Sequence, residues 1–482
     1  MKLKELLQGI EVVKVIGKTD LDIKNIKIDT KSIEKGDLFV CLRGSVVDSH
    51  NLSKEIKDYG AIAVVTTKKI QTSLTQIIVK DSRKALSLIC SNYYKNPEKE
   101  LKIIGITGTN GKTTISYMVK NILEKAGKKC GVIGTMGAFW GGKAEETGLT
   151  TPDPIDLFRI FAEMKKDGVE YVAMEVSAHA IALSKIFGIK FTIACLSNVT
   201  QDHLDYFNSF ENYKNQKKAF LENKSNKIVL LNSDDDLGIE LLNKNPDFLS
   251  YGLENPCDVF AINVEENTRY ITFTINLFDE IREIKLNLVG TYNVHNALCA
   301  ATITAILGIS VDSIIEGLNG FNGVEGRMEF IKNKKGKFIY VDYAHTPDGL
   351  KKSILSLKKI CMGKVYSLFG CGGNRDKGKR EIMGEISGKY ADFTIITSDN
   401  PRDEDPMEII AQIEKGVVKN SRNYVVMQNR KQAIEYAIFM LKEGDYLLIA
   451  GKGAERYQEE CGIKRLYNDK DTVMEILEEI NE

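Results

Sequence analysis

The chain has 482 residues, with 66 basic against 66 acidic side chains, 43% hydrophobic and 27% charged residues. At roughly 150 residues per domain this length implies about three domains with ordinary cores, which excludes a disulfide-stapled miniprotein and wholesale disorder. Zero formal net charge removes any global field toward nucleic acid or an anionic membrane, and the nine cysteines, odd in number and without a C-x-x-C pair, fit reduced thiols in the cytoplasm.

The N-terminus, Met1-Lys-Leu-Lys-Glu-Leu-Leu, meets charge too soon for a signal peptide, and no run reaches the roughly 18 apolar residues of a membrane span. What recurs is a short apolar run that stops abruptly at polar or Gly-rich residues and is followed by a helical pattern. In chain order these runs are Ile103-Thr107, Tyr171-Met174, Phe191-Leu196, Phe338-Val341, Val365-Phe369, Phe393-Thr397 and Tyr446-Ala450, and a helix is expected over Asn293-Leu307. Strands alternating with helices mean parallel sheets, whose ligands gather beyond the carboxyl ends of the strands. Boundaries near Asn96-Pro-Glu-Lys-Glu100 and Gly323-Val-Glu-Gly326 divide the chain into domains 1–98, 99–325 and 326–482.

The strongest signal is Gly105-Ile-Thr-Gly-Thr-Asn-Gly-Lys-Thr-Thr114, after an apolar strand and before a helix that Gly127 should stop. Gly-rich backbone at a helix N-terminus points N–H groups at an anion, Lys112 adds charge for outer phosphates, and the Thr113 hydroxyl suits magnesium. Ile106 stands where the generic G-x-x-x-x-G-K-[ST] pattern needs glycine, so this is a tighter nucleotide loop. Next come Glu175 in Met174-Glu-Val-Ser-Ala-His179, His203 in Asp202-His-Leu-Asp205, and the lysines of Tyr213-Lys-Asn-Gln-Lys-Lys218. Glu175 either ligates a cation or caps a loop. By composition the lysines are a solvated helix face, and Lys217 could join a metal site only as a carbamate.

Asn293 and Asn296 in Gly290-Thr-Tyr-Asn-Val-His-Asn-Ala297 suit either an adenine or ribose contact, or helix capping. Arg327 in Gly326-Arg-Met-Glu329 could clamp phosphate, and Asp342 lies in Val341-Asp-Tyr-Ala-His-Thr-Pro-Asp348 directly after a strand. All five histidines fall in or beside these polar runs, which favours a site over a core role. Three last loops follow strands: Phe369-Gly-Cys-Gly-Gly-Asn-Arg-Asp-Lys-Gly-Lys-Arg380, Thr397-Ser-Asp-Asn-Pro-Arg-Asp403 and Ala450-Gly-Lys-Gly-Ala-Glu455. Arg375 and Arg402 answer carboxylates while Asp399 and Glu455 answer an ammonium, so together they suit an amino acid; salt-bridged surface loops are the plainer alternative.

Taken together, Thr107-Gly-Thr-Asn-Gly-Lys-Thr-Thr114, Asp202-His-Leu-Asp205, Gly290-x-x-Asn-x-x-Asn-Ala297, Gly326-Arg-Met-Glu329 and Asp342-Tyr-Ala-His345 resemble the motif series of the Mur ligases in order and spacing. The resemblance implies an α/β chain of three domains: a small N-terminal uridine-nucleotide domain, a central P-loop-type mostly parallel sheet with helices, and a C-terminal Rossmann-like domain. It further implies a cytoplasmic, monomeric, ATP- and magnesium-dependent ligase of peptidoglycan synthesis, and hence of cell shape, the cell cycle and division. Its small-molecule substrates need neither nucleic acid nor a membrane span. Asp399-Asn-Pro-Arg402 resembles the form that takes meso-2,6-diaminopimelate, joined to UDP-N-acetylmuramoyl-L-alanyl-D-glutamate through an acyl phosphate.

By the same resemblance Gly108, Thr109, Asn110, Gly111, Lys112, Thr113, Thr114, Asn293, Asn296, Arg327 and Asp342 bind ATP. Thr113, Glu175, His203 and carbamylated Lys217 hold metal, and Lys112, Glu175, His203 and Lys217 carry the chemistry. Thr30, Asp48, His50, Thr150, Thr151, Ser177 and Lys185 meet the UDP substrate, and Arg375, Asp399, Asn400, Arg402, Gly451 and Glu455 meet diaminopimelate. Several residues depart from the family: Ala454 stands where histidine is usual, Ser177-Ala-His179 where Ser-Ser-His is usual, Asp29-Thr-Lys31 where Asp-Ser-Arg is usual, and Lys185 where arginine is usual, which keeps charge but loses the bidentate fork. The rivals are a lysine-adding or folylpolyglutamate-type ligase, expected to lack Arg402 in the lysine case, and a P-loop switch or motor that hydrolyses nucleotide without an acceptor.

Overall fold

The computed structural model describes residues 1–44, 47–333 and 336–480. The chain condenses into two compact units whose segments interleave along the sequence. One holds Met1–Thr107, Gly127–Cys195 and Gln216–Val229; the other holds Gly108–Ala126, Leu196–Asn215 and the chain from Leu230 onward.

In the first unit a five-stranded sheet runs in the order Val12–Ile16, Thr75–Val79, Ala63–Thr66, Leu38–Val40, Ile26–Lys27, antiparallel at the first pair and parallel thereafter. The helix Ser82–Tyr93 follows it, started by Asp81, whose carboxylate accepts the amides of Arg83 and Lys84. A second group of strands is parallel: Lys102–Thr107 pairs with Tyr171–Glu175, which pairs with Cys130–Gly134. Antiparallel hairpins Gly137–Trp140 and Lys143–Glu145 extend that edge. Tyr171–Glu175 is buried at every residue, as a strand covered on both faces must be.

In the second unit Leu249–Gly252 pairs in parallel with Val259–Glu266, and Val259–Glu266, Ile271–Leu277 and Glu280–Leu286 form an antiparallel meander. Ile271–Leu277 alternates buried and half-buried residues, the signature of a sheet with one wetter face. The helix Lys112–Lys125, ended by Gly127 in the left-handed region, packs on Tyr292–Ile306 and Val311–Asn319. A six-stranded sheet then runs Glu329–Phe330, Phe338–Asp342, Tyr446–Ala450, Val365–Phe369, Phe393–Ile396, Tyr424–Val426, parallel except at its first pair.

The two faces of that sheet explain its apolar runs. Val365 and Phe369 enter one core with helices Pro347–Ile360 and Pro406–Val417, while Tyr366 and Leu368 enter the other with helices Arg430–Met440 and Asp469–Glu479. Alternate residues serve opposite faces, so a run apolar at every position marks a strand sandwiched between helix layers. The register aligns Asp342 with Ala450, Ala450 with Phe369, and Phe369 with Ile396, which brings the loops that follow all four strands to one edge.

Candidate active site

The strand Lys102–Thr107 feeds the loop Gly108–Gly111, and the helix begins at Lys112. Gly108 and Gly111 have φ of +151° and +88°, and a Cβ on them would lie 1.9 Å from the Ser197 hydroxyl and 2.5 Å from Asn296 Oδ1. No side chain fits at either place, so the backbone approaches its neighbours as closely as it would a phosphate. Asn198 fixes the loop from beneath: its carbonyl accepts the Thr109 amide at 2.8 Å, its Oδ1 accepts the Asn110 amide at 3.0 Å, and its Nδ2 donates to the Asn110 carbonyl at 3.0 Å. Thr109 donates its hydroxyl to the Thr200 carbonyl and shares a 3.0 Å bond with the Tyr213 hydroxyl.

Lys112 Nζ donates to the carbonyls of Gly108 and Thr109, both at 2.9 Å, so its charge hangs over the loop. Arg327 donates from Nη2 to the Thr113 hydroxyl at 3.1 Å, its guanidinium 4.2 Å from the Tyr343 ring centre. Asn110 donates to Asp348 at 3.1 Å, and Thr114 is buried in the first turn. Asn296 donates to Asn293 Oδ1 at 3.0 Å, and Asn293 donates to the Val289 carbonyl at 2.8 Å. The N-cap of this helix is Thr291, so the two asparagines are not its caps. Asp342 accepts Ser353 Oγ at 2.6 Å and the amides of Met328 and Tyr343; burial raises its pKa despite these bonds and the Arg327 charge.

Asp202 and His203 also lie in this unit, His203 with φ of +55° and its amide donating to Asp202 Oδ1 at 2.8 Å. Burial opposes the Asp202 charge, but the charges of His345, His203 and Lys379 overcome it and hold the carboxyl below the usual range.

In the first unit Glu175, 1% exposed, ends its strand. One of its oxygens accepts the Thr135 amide and the other the Thr135 hydroxyl, each at 3.0 Å. Thr135 shares a 3.2 Å hydroxyl bond with Thr150, and Thr151 donates to the Glu175 carbonyl at 2.9 Å while accepting the Ser177 amide at 3.1 Å. Buried Lys185 meets Asp153 at 2.9 Å and the Thr151 carbonyl at 3.4 Å. Thr150, Thr151, Ser177, Lys185 and Glu175 thus form one constellation. Asp48 accepts His50 Nδ1 at 2.6 Å while the Thr67 amide donates to His50 Nε2 at 3.2 Å, so both ring nitrogens are engaged. Thr30 sits on a separate turn capped by Asp29.

Lys217 corrects the solvated-face reading of its helix: it is 1% exposed, whereas Lys218 is only half-buried. Among the described residues no group of three His, Cys, Asp or Glu side chains is arranged to hold a metal by itself. Magnesium needs no such cage, because it keeps waters and takes one or two protein oxygens; within the second unit the Thr113 hydroxyl at a helix N-terminus is an oxygen donor of that kind, and within the first unit the buried Glu175 carboxylate is another.

At the edge of the six-stranded sheet, Asn400 donates to Glu455 at 2.9 Å, and buried Lys452 donates to Asn400 Oδ1 at 3.0 Å and Glu455 Oε2 at 2.9 Å. Asp399 is buried beside Gly451; desolvation opposes its charge, but Lys452 and Arg430 hold its pKa below the usual range. Arg402, at φ of +52°, donates to the Gly373 carbonyl at 2.7 Å and meets Glu459 at 3.3 Å, and Arg375 lies exposed on the rim. Asp399, Asn400, Arg402, Gly451 and Glu455 are therefore one cluster. Ala454, where a histidine would stand, has its amide 2.1 Å from where a Cβ on Gly326 would be.

Sequence reasoning missed four supports: Asn198 under the loop, Thr135 behind Glu175, Lys452 between Asn400 and Glu455, and Arg380, which grips both oxygens of Glu404 at 2.9 and 3.0 Å. The Ser197-Asn-Val-Thr200 run after an apolar strand was the available signal for the first. Arg380 lowers the Glu404 pKa to about 2, chiefly through its hydrogen bonds. A depressed carboxylate stabilises the fold fully above its unfolded pKa and loses that contribution as pH falls toward the folded value. Glu404→Gln should therefore cost roughly 1–3 kcal/mol at pH 7, discounted for partial exposure, and the deficit should narrow as pH falls through 4 toward about 2; urea unfolding across that range reads it.

Residues 106–304 match the family model of the Mur ligase middle domain, and residues 326–453 that of the Mur ligase, glutamate ligase domain. The chain is 40% identical to the UDP-N-acetylmuramoyl-L-alanyl-D-glutamate--2,6-diaminopimelate ligase of Clostridium botulinum, covering 100% of both chains. It is 39% identical to the protein of the same name from Clostridium tetani, again over 100% of both. A solved structure of a ligase of that name superposes with a TM-score of 0.69 at 27% identity, covering 100% of this chain and 99% of the other.

Proposed function

The chain belongs to the Mur ligases, ATP-dependent amide-forming enzymes, and from that premise we propose that it joins meso-2,6-diaminopimelate to UDP-N-acetylmuramoyl-L-alanyl-D-glutamate in peptidoglycan synthesis. The observation that carries this reading is the cluster at the edge of the C-terminal sheet: buried Asp399 and half-buried Glu455 offer negative charge, and Arg402 and Arg375 positive charge, in a chain that also carries a Gly-rich loop at a helix start. An amino acid with two carboxylates and two ammonium groups needs both signs.

In this reading the terminal carboxylate of the nucleotide dipeptide attacks the γ-phosphorus of ATP, and the bond to the bridging oxygen of ADP breaks. The diaminopimelate amine then adds to the acyl phosphate carbon, loses a proton, and expels phosphate as the acyl C–O bond breaks. Two negative groups meet in the first step, so catalysis is mainly positioning and charge neutralisation. The loop amides from Gly108 to Thr114 cradle the phosphates, and Lys112 turns its ammonium from the loop carbonyls to them. Thr113, Glu175, His203 and, as a carbamate, Lys217 would hold magnesium, which supplies charge for the phosphate oxygens when bound. Asn293 and Asn296 face the base, and Arg327 and Asp342 contact phosphate and ribose.

Thr150, Thr151, Ser177 and Lys185 face the sugar-peptide, and Thr30, Asp48 and His50 lie toward the uridine nucleotide, with His50 acting through its hold on Asp48. The domains are those of residues 1–98, 99–325 and 326–482, in a cytoplasmic monomer; among the described residues no helix is long and apolar enough to cross a membrane. Oxygen-18 placed in the substrate's terminal carboxylate tests the route. One label should appear in the released phosphate, and release should need the amino acid. Unlabelled phosphate, or release without any acceptor, would restore the switch or motor reading.

A further inference from the structure

Two of the loops that carry the amino-acid cluster start from carbonyls held by one side chain. Arg430, 2% exposed, opens the helix Arg430–Met440 and donates from Nη2 to the Ala450 carbonyl at 2.9 Å and from Nη1 to the Ser398 carbonyl at 3.4 Å. Its Nε and Nη2 also grip both oxygens of fully buried Asp469, at 2.8 and 2.9 Å, and the Tyr467 hydroxyl donates to the same carboxylate at 3.1 Å. Asp469 opens the last helix, whose N-cap Asn468 accepts the Asp471 amide at 3.0 Å and donates from Nδ2 to the Glu455 carbonyl at 3.1 Å.

Ser398 immediately precedes Asp399, and Ala450 immediately precedes Gly451. Together with the Asn468 bond to Glu455, a single buried assembly therefore anchors these two loops at three backbone carbonyls, those of Ser398, Ala450 and Glu455. Core stability alone does not call for this arrangement, since a buried ion pair is commonly replaceable by apolar residues of similar volume without loss. What apolar residues cannot supply is directed donors to two specific carbonyls.

We propose that the Arg430–Asp469 pair is a positioning element of the amino-acid site, setting the backbone from which Asp399, Gly451 and Glu455 reach the incoming amino acid and so setting the discrimination between diaminopimelate and lysine. This rests on the reading of that sheet edge as the amino-acid site. Neither residue touches substrate; both act through the loops they hold.

Three variants of the full chain test it: Arg430→Lys, which keeps the charge and loses the fork; the pair Arg430→Met with Asp469→Leu, which leaves no orphaned charge; and Asn468→Ser, which keeps the helix cap and cuts only the bond to Glu455. In the first two, KM for meso-diaminopimelate should rise at least about tenfold and the kcat/KM preference over L-lysine should fall at least about tenfold, while KM for ATP and the UDP-dipeptide moves less than about twofold. Asn468→Ser should shift the same split by about threefold or more, and it carries the test if the arginine variants fail to fold. A variant that melts normally with an unchanged amino-acid KM, or with all three KM values rising together, would overturn the positioning role. A wild-type enzyme that uses L-lysine instead would overturn the diaminopimelate reading alone, and the split would then be judged on lysine. Turnover that no amino acid affects would overturn both.

Discussion

Replacing Lys112 with alanine is expected to lower kcat for ATP-dependent phosphate release at least about 100-fold, a loss of about 3 kcal/mol of transition-state stabilisation. The side chain stands in the first turn of the helix after the loop and donates at 2.9 Å to the carbonyls of Gly108 and Thr109, both within the loop it serves. Those bonds are ones it can exchange for phosphate oxygens. The amides around Gly108 and Gly111 already supply neutral donors, so what alanine removes is net charge, and charge matters most where a carboxylate approaches a triphosphate. Lys112→Arg should rescue little, because a planar fork does not fit a place shaped for a point charge. Steady-state phosphate release and ATP affinity, measured together with thermal melting, separate this from misfolding. A kcat within about threefold of wild type would contradict the role.

Replacing Arg402 with alanine is expected to raise KM for diaminopimelate by roughly 10- to 100-fold, the loss of about 1.5–3 kcal/mol for a charge-assisted bond, while KM for ATP stays nearly unchanged. The guanidinium is aimed by its own backbone, at φ of +52°, and by its bond to the Gly373 carbonyl, with Glu459 as its present carboxylate partner at 3.3 Å. A substrate carboxylate can take the place of Glu459 without repositioning the side chain. Alanine keeps the strained backbone, so a companion Arg402→Gly separates strain from lost charge: the two should raise KM alike. Equal losses for ATP and diaminopimelate would contradict this role.

Much of the parallel architecture was legible because strands covered on both faces are apolar at every position. Val365–Phe369 and Tyr446–Ala450 have the bounds their apolar runs mark, and Tyr171–Glu175 extends one residue beyond its run to include the carboxylate. The same signal is blind to one-faced strands. Ile271–Leu277 alternates and Glu280–Leu286 is mostly exposed, so neither forms an apolar run, and the meander escaped the sequence reading. The strand, Gly-rich loop and helix of Lys102–Lys125 were legible because all their signals lie within one short stretch of sequence.

The supports were not legible, because their partners are distant in sequence: Arg430 and Asp469 are 39 residues apart, Lys452 and Asn400 52 apart, and Arg380 and Glu404 24 apart. A lone arginine at a helix start carries no periodicity that names its partner. Lys217 shows the same limit from the other side: in a lysine-rich helix its composition reads as solvated, and only packing shows which of Lys217 and Lys218 faces inward.

The most direct measurement is the mass of the nucleotide product formed when the protein is given ATP, UDP-N-acetylmuramoyl-L-alanyl-D-glutamate and an equimolar mixture of meso-diaminopimelate and L-lysine. A single product carrying diaminopimelate is the predicted result. A lysine-bearing product would contradict the specificity assigned to Arg402 and Asp399, and unchanged dipeptide with ATP hydrolysed would contradict the ligase itself.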